Sequence, residues 1–408
     1  MAEDFISVLR DRGFIHQMTD ATELSVLSRA RGLHPYVGFD LTAQHLHVGS
    51  LIQLMVLRWA MRFKLEPVVV LGEFTTRIGD PTGRKTARPM LNEGTISGNR
   101  NGIERDIRRV VYDDYGDITI LSNVDWLEDV SLSEYLIDFA ALFSVNKMLA
   151  QDSIKTRLDA QDSLSVLEFN YSLFQAMDFY FLNEEEGCNV QMGGSDQWGN
   201  IVAGVDLIRR KGGGAAYGIT TPLMTNAAGE KMGKTAGGAI WLHEDGTSID
   251  DFWQFWRNVE DVKVREFLLL FTELPIGEID TLMAGDINVS KKRLATEVTR
   301  IVHSEEKARS AQARAEAMFE GSAFDNLEPI LIYPPLVENT IINLVAHLMK
   351  SSKGEARRLC DQNAVRLDDE VMAGTTVLAR VIREDVPFTL TVGKKNRFRL
   401  IVGESGIQ

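Results

Sequence analysis

The chain is short of several features that mark whole classes of protein. It carries two cysteines, Cys188 and Cys360, in 408 residues. They lie far apart and in no metal-ligand spacing, which leaves neither a disulfide framework nor a zinc motif. We read both as free thiols of a reducing compartment, with Cys188 as a small buried hydrophobe beside a glycine turn. No apolar run has the length of a membrane span or the layout of a signal peptide. Glu3, Asp4 and Asp11 make the N-terminus too acidic for a transit peptide. There is no internal repeat and no low-complexity tract. Basic residues are in deficit, with 44 Lys and Arg against 58 Asp and Glu, a net charge of −14. That balance disfavours a surface that binds nucleic acid everywhere and leaves room only for a local basic patch. Between Lys350 and Arg399 such a patch exists, with a local balance of +4. No Ser-His-Asp arrangement is visible.

What is present concentrates in a few stretches. Tyr36-Val-Gly-Phe39 is short and β-prone, and Leu51 to Arg62 is apolar and free of Gly and Pro. The pattern predicts a strand, a turn and a helix. The turn holds Thr42, His47, Gly49 and Ser50. Free N–H groups at a helix start attract phosphate, and Gly49 lets a nucleotide come close to the backbone. An ordinary turn with incidental histidines fits this stretch equally well on its own. Much later comes Gly229-Glu-Lys231-Met-Gly-Lys234-Thr235. It is not a Walker A loop, since only three residues separate Gly229 from Gly233 and no clear strand precedes it. Two lysines on a glycine-flanked loop suit a reaction that builds charge on a leaving phosphate. A solvated surface loop is the bland alternative.

Two further stretches add polar groups at regular spacing. Tyr171, Gln175 and Asp178 fall at i, i+4 and i+7, on one face of a predicted helix. Such a stripe is either exposed or, if buried, in need of partners. Val190 to Asn200 reads as a strand end, a glycine turn and a helix start, the place where a doubly wound sheet binds its ligand. Asp196 there is placed to hold ribose hydroxyls.

Together, and in this order, these stretches resemble a known family. His47-Val-Gly-Ser50 and Lys231-Met-Gly-Lys234-Thr235 resemble the two signatures of bacterial-type tyrosyl-tRNA synthetases, which are class I aminoacyl-tRNA synthetases. Gly72 to Gly83, the Tyr171 helix and Gly193 to Asn200 match as well, and the similarity runs along essentially the whole chain. Three departures stand out. Ser50 replaces the second signature His, Leu41 stands where Pro is frequent, and Glu73 to Arg77 replaces a more Gly-rich run.

The resemblance implies a reaction and a set of roles. ATP is a substrate and brings Mg²⁺ with it, with no dedicated protein metal site. L-tyrosine and tRNA(Tyr) are the other substrates. The enzyme is expected to be cytoplasmic and homodimeric, with no membrane partner and no editing domain. Tyr36 and Asp178 would bond the phenolic hydroxyl of tyrosine. Asp80, Tyr171 and Gln175 would hold its ammonium group, with Gln197 alongside. Gly38, Asp40, Gly49, Ser50, Gly194 and Asp196 would line the ATP side. Thr42, His47, Lys231, Lys234 and Thr235 would stabilise the phosphates, with Arg84 and Arg88 as further cations. Near the C-terminus the chain resembles a small RNA-binding domain also found in a ribosomal protein. Lys353, Arg357, Arg358, Lys394, Lys395 and Arg397 are its expected phosphate contacts.

The expected fold is α/β. Residues 1–225 form a doubly wound, Rossmann-like parallel sheet with an insertion near 120–165, where Leu136 to Leu149 reads as a helix. Residues 226–247 carry the lysine loop. Residues 248–320 form an α-helical anticodon-binding domain built around Trp253, Phe255 and Trp256. Residues 321–340 read as a linker because they hold three prolines. Residues 341–408 form a small α+β RNA-binding domain. Two rivals stay open at this point: another nucleotidyltransferase of the same fold, tryptophanyl-tRNA synthetase included, and a non-catalytic RNA-binding relative.

Overall fold

The computed structural model describes residues 4–82, 91–112, 116–235, 238–320, 330–349, 351–368, 370–382, 386–393 and 396–403. The chain divides into two compact units, Met1–Gln312 and Ala313–Gln408. Among the described residues no helix is long and apolar enough to cross a membrane.

The first unit is built on a six-stranded sheet. Its strands are β1 (Gln17–Met18), β2 (Pro35–Asp40), β3 (Val68–Gly72), β4 (Thr119–Ser122), β5 (Val190–Gly194) and β6 (Tyr217–Thr221). Their spatial order is β1-β6-β5-β2-β3-β4. All pairs are parallel except the edge pair β1–β6. Strand β3 is Val-Val-Val-Leu-Gly and buried throughout, as a strand covered on both faces must be. The chain runs outward from β2 to β3 and β4, then returns to place β5 and β6 on the other side. Strand order therefore reverses between β2 and β5, and a crevice opens at their C-terminal ends.

The helix over Leu51–Arg62 is buried from Leu51 to Met61. One side faces the sheet. The other meets the helix Val264–Phe271. The buried Arg12 guanidinium donates to the carbonyls of Leu269, Thr272 and Leu274. Arg58 pairs with Glu273 at 3.0 Å and donates to the Val110 carbonyl at 2.7 Å. These bonds explain why residues the sequence separates into a catalytic and a helical domain pack here as one unit up to Gln312. In the helical layer Phe252, Trp253, Trp256, Phe267 and Phe271 are buried, while Phe255 is half-buried and packs its ring on Trp256.

The region after β4 departs from expectation in a second way. The single helix expected over Leu136 to Leu149 is broken into a wide turn at Tyr135–Phe139, a tight turn at Ala140–Leu142 and a short helix at Val145–Leu149. The break turns Phe139 inward and leaves Leu136 and Ile137 more than half exposed. Nearby, Arg157 and Glu168 form a buried ion pair at 2.6 Å. Glu168 also closes the capping box at Ser165, so its carboxylate is satisfied on both sides.

The second unit holds a five-stranded sheet. After a short ribbon of β7 (Lys234–Thr235) and β8 (Gly238–Ala239) in the first unit, the strands are β9 (Ile330–Ile332), β10 (Val365–Leu367), β11 (Glu370–Val371), β12 (Phe388–Val392) and β13 (Asn396–Val402). Their order is β11-β10-β12-β13-β9. The helices Ile341–Leu348 and Lys353–Asp361 cover it, with Leu344, Val345, Cys360, Leu390 and Leu400 in the core. Part of the expected linker is therefore structure. Residues Ile330–Ile332 pair in parallel with β13, and Pro334–Val337 is a helical turn. Pro334 and Pro335 open that helical turn, where proline is favoured.

Removing one member of a buried pair strands the other charge. Glu168→Gln is expected to lower the unfolding free energy by about 3–5 kcal/mol, read by urea denaturation.

Candidate active site

The crevice between β2 and β5 is a cleft of about 580 Å³. Strand β2 supplies three groups in succession. Tyr36 is buried, Gly38 opens the wall, and Asp40 ends the strand. The Asp40 carboxylate accepts from the Thr75 hydroxyl at 2.9 Å and from the Tyr171 hydroxyl at 3.0 Å.

One end of the cleft is buried and acidic. Asp178 lies one turn below Gln175 on the helix Tyr171–Glu185 and is 6% exposed. Its carboxylate accepts from the Trp126 ring N–H at 2.8 Å and from the Asn123 amide at 3.2 Å. Burial pushes it up from an ordinary 3.8 to about 7, against the pull of those two bonds. The Tyr36 hydroxyl is buried and has no hydrogen-bond partner among the described residues. Burial, then the neighbouring Asp178, raises its pKa well above the usual value. A buried hydroxyl without a partner is costly unless a ligand completes it. Tyr171 is likewise raised by burial and then by Asp40. The helical stripe seen in the sequence is thus a buried one that faces the cleft.

A chain of amides joins this end to the glycine turn. Gln197 donates to Asp80 at 2.8 Å. Asn200 donates to the carbonyl oxygens of Gln197 and Gln175, at 3.1 and 3.0 Å. Asp80 also accepts from the Thr82 backbone at 2.9 Å. The network fixes Asp80, Gln175 and Gln197 as a polar wall.

The other end carries the two signature segments. His47 caps the turn Val48–Ser50 that leads into the Leu51–Arg62 helix. Its Nδ1 accepts from the Gly49 N–H at 3.0 Å, which puts the hydrogen of the neutral ring on Nε2. A Cβ on Gly49 would run into the His47 ring, so this position is glycine for space. After β6 the chain makes a hairpin-like loop. Met232 bonds back to Met224 at 2.8 Å, and Gly229 takes a positive φ of 81° at the tip. Lys231 reaches Asp196 at 3.1 Å. The first and second segments then pair directly, Val48 N–H to Ile240 at 2.9 Å and Leu242 N–H to Leu46 at 2.8 Å.

Fifteen residues expected at the site line this one cleft: Tyr36, Gly38, Asp40, Thr42, His47, Gly49, Ser50, Asp80, Tyr171, Gln175, Asp178, Gly194, Asp196, Gln197 and Lys231. Lys234 and Thr235 follow in the β7 ribbon, with only their backbone described. Arg84 and Arg88 lie outside the described residues.

Residues 29–320 match the family model of tRNA synthetases class I (W and Y). The chain belongs to the class I tRNA synthetases. It is 43% identical to a tyrosine–tRNA ligase of Ruegeria pomeroyi, covering 98% of each chain. It is 41% identical to one of Beijerinckia indica, covering 98% of this chain and 97% of that one. A C-terminally truncated mitochondrial tyrosyl-tRNA synthetase of Aspergillus nidulans superposes with a TM-score of 0.70 at 29% identity, over 78% of this chain and 94% of that one.

In this synthetase several groups that line or back the cleft carry no motif. Asn123 and Trp126 were missed because the sequence offers only a strand followed by Asn-Val-Asp-Trp. Their place just past the end of β4 was the available signal, since ligands gather at the carboxyl ends of parallel strands. Asn123 and Trp126 support Asp178 from behind, whereas Thr75, His45 and Gln53 line the cleft itself. Cys188 is fully buried, and burial followed by Glu186 pushes its thiol up to about 12. It is an inert core residue, as expected.

The raised Asp178 makes a pH prediction. Between about 4 and 7 the folded chain binds this proton and the unfolded chain does not, so the contribution of Asp178 to stability falls as pH rises through that window. Asp178→Asn removes the titration. Its stability relative to the parent is expected to rise between about pH 4 and pH 8 in urea unfolding curves.

Proposed function

We propose that the chain is a tyrosine–tRNA ligase. It activates L-tyrosine with ATP to tyrosyl-adenylate and pyrophosphate, then transfers tyrosine to the 3′ end of tRNA(Tyr). One observation carries the choice of amino acid: the unpartnered Tyr36 hydroxyl and the Asp178 carboxylate meet at the buried end of the cleft. A phenolic hydroxyl donates to Asp178 and accepts from Tyr36. A substrate without that hydroxyl leaves the buried Tyr36 hydroxyl without a partner and Asp178 with only its bonds from Trp126 and Asn123, a loss that discriminates strongly against it. An indole is not matched in the same way.

The first step needs positioning more than proton transfer. The tyrosine carboxylate is already a nucleophile at neutral pH and attacks the α-phosphorus of ATP. Asp80, Tyr171 and Gln175 hold the ammonium group, with Gln197 bonded to Asp80 behind them. Gly38, Asp40, Gly49, Ser50 and Gly194 shape the nucleotide side, with Asp196 on the ribose. Thr42 and His47 stabilise the departing phosphates from the helix start, where free N–H groups add to the effect. Lys231, Lys234 and Thr235 do so from the loop, with Arg84 and Arg88 as further cations. Mg²⁺ travels with ATP as part of the substrate.

The second unit binds the tRNA. Lys353, Arg357 and Arg358 are exposed on the helix Lys353–Asp361, and Arg397 is exposed on β13. Arg366, which the sequence reading overlooked, is exposed on β10 in register with Thr391, itself opposite Arg397. Lys394 and Lys395 complete the proposed contacts and lie outside the described residues. The first unit pairs with a second copy through the region after β4, where Leu132, Leu136, Ile137, Val145 and Val166 are more than half exposed. Clustered exposed apolar groups of this kind mark an interface. The two free, buried cysteines support a cytoplasmic setting.

The test is ATP–pyrophosphate exchange with tyrosine, phenylalanine and tryptophan in parallel. Exchange with tyrosine alone is the expected outcome; none with any amino acid from folded protein would overturn the reading. Lys231→Ala is expected to slow tyrosine-dependent exchange by about 10²–10³-fold while tyrosine affinity holds.

A further inference from the structure

The helix Glu93–Val111 carries a polar stripe that none of the steps above uses. Asn99, Gly102, Asp106 and Arg109 stand at i, i+3, i+7 and i+10 and share one face. Each of them meets a backbone group of the chain that leads into the first signature or follows the second. The Asn99 amide donates to the Leu41 carbonyl at 2.7 Å. Gly102 packs on the Gln44 carbonyl so closely that a Cβ would overlap it. Asp106 is fully buried and accepts from the Leu46 N–H at 3.0 Å and from the His45 ring at 3.2 Å. Arg109 pairs with Asp106 at 3.2 Å and donates to the Leu242 carbonyl at 2.8 Å.

Leu46 precedes His47, and Leu242 lies just past β8, the strand that follows the lysine loop. One buried carboxylate and one guanidinium therefore hold the two segments from the same helix, side by side. The rings of His45 and His243 stack across the same junction at 4.3 Å and 9°. Donor atoms of His45, His243 and Asp245 lie within 4.8 Å of one another. The ring planes are parallel, however, and a ligated ion must lie in the plane of each ring. The pair is a spacer in this arrangement.

We infer that this stripe sets the distance between the two phosphate-handling segments, with Asp106 and Arg109 as positioning residues for the ATP step. The inference rests on the ligase reading. His47 and the loop lysines act on the same departing phosphates, so their separation must be held to well under an ångström. Misplacement by about 1 Å costs on the order of 100-fold in rate. The two ladder bonds between Leu46–Val48 and Ile240–Leu242 are neutral. The charge-assisted bonds from Asp106 and Arg109 are stronger and fix the ladder to a rigid helix.

The experiment compares the full chain with Asp106→Ala, Asp106→Asn, Arg109→Ala and Arg109→Lys. Each is read by pyrophosphate exchange at varied ATP, by tyrosine binding through fluorescence, and by hydrogen exchange over residues 231–242. The alanine variants are expected to lose about 100-fold in kcat, to lose protection over 231–242, and to keep tyrosine affinity within about twofold. Arg109→Lys recovers part of the rate because the charge remains. If the alanine variants do not fold, Asp106→Asn and Arg109→Lys decide, with a partial loss of kcat at unchanged tyrosine affinity as the expected result. Unchanged kcat and KM for ATP in folded variants would overturn the inference. So would a loss of tyrosine affinity equal to the loss of kcat, which signals general damage. A parent chain without exchange would instead sink the ligase reading.

Discussion

Reversal of strand order between β2 and β5 is the constraint on which the rest depends. Helices that follow parallel strands on opposite sides of the switch cannot both cover the strand ends, so a crevice must remain there. Every polar group of the cleft is set by its distance from that opening. Asp40 ends β2, Asp178 faces it from a helix that packs on the sheet, and Asp196 follows the end of β5. The Leu51–Arg62 helix, buried on two sides, fixes where His47 stands. Without a rigid sheet these groups would have no common frame.

Charge is arranged along the cleft in a gradient. Asp40, Asp80 and Asp178 gather around Tyr171, and Lys231 with the helix start at His47 occupies the other end. A field of this kind sorts cationic from anionic groups of a ligand before any shape is matched. The burial that raises Asp178 to about 7 is the same burial that makes its bonds from Trp126 and Asn123 costly to lose. Lys231 rests on Asp196 in the present arrangement, so a nucleotide that takes either partner releases the other.

Local elements were legible where periodicity was strong. Leu51 to Arg62 is helical over the range its apolar pattern predicts. Val190 to Asn200 is a strand, glycine turn and helix start. Elements governed by tertiary contacts were not. Leu136 to Leu149 has the composition of one helix, but Phe139 turns inward while Leu136 and Ile137 turn out, and the backbone breaks between them. The prolines near 330 looked like a linker, yet Ile330–Ile332 gains a full set of partners on β13. Pairing with a strand seventy residues away leaves no trace in local composition.

The sequence by itself determined the signatures, the order in which they occur and the chemistry of their side chains. Residue type and short spacing are local properties, and they carry the histidine, the lysines, the phenol and the carboxylate without any fold. Tertiary structure alone decided that the Tyr171 stripe is buried rather than exposed, and that Asp178 is held by Asn123 and Trp126. It also decided that Asn99, Gly102, Asp106 and Arg109 meet the backbone of two segments two hundred residues apart. Burial and distance are properties of the packed chain. They arise only when the sheet brings remote residues to one crevice.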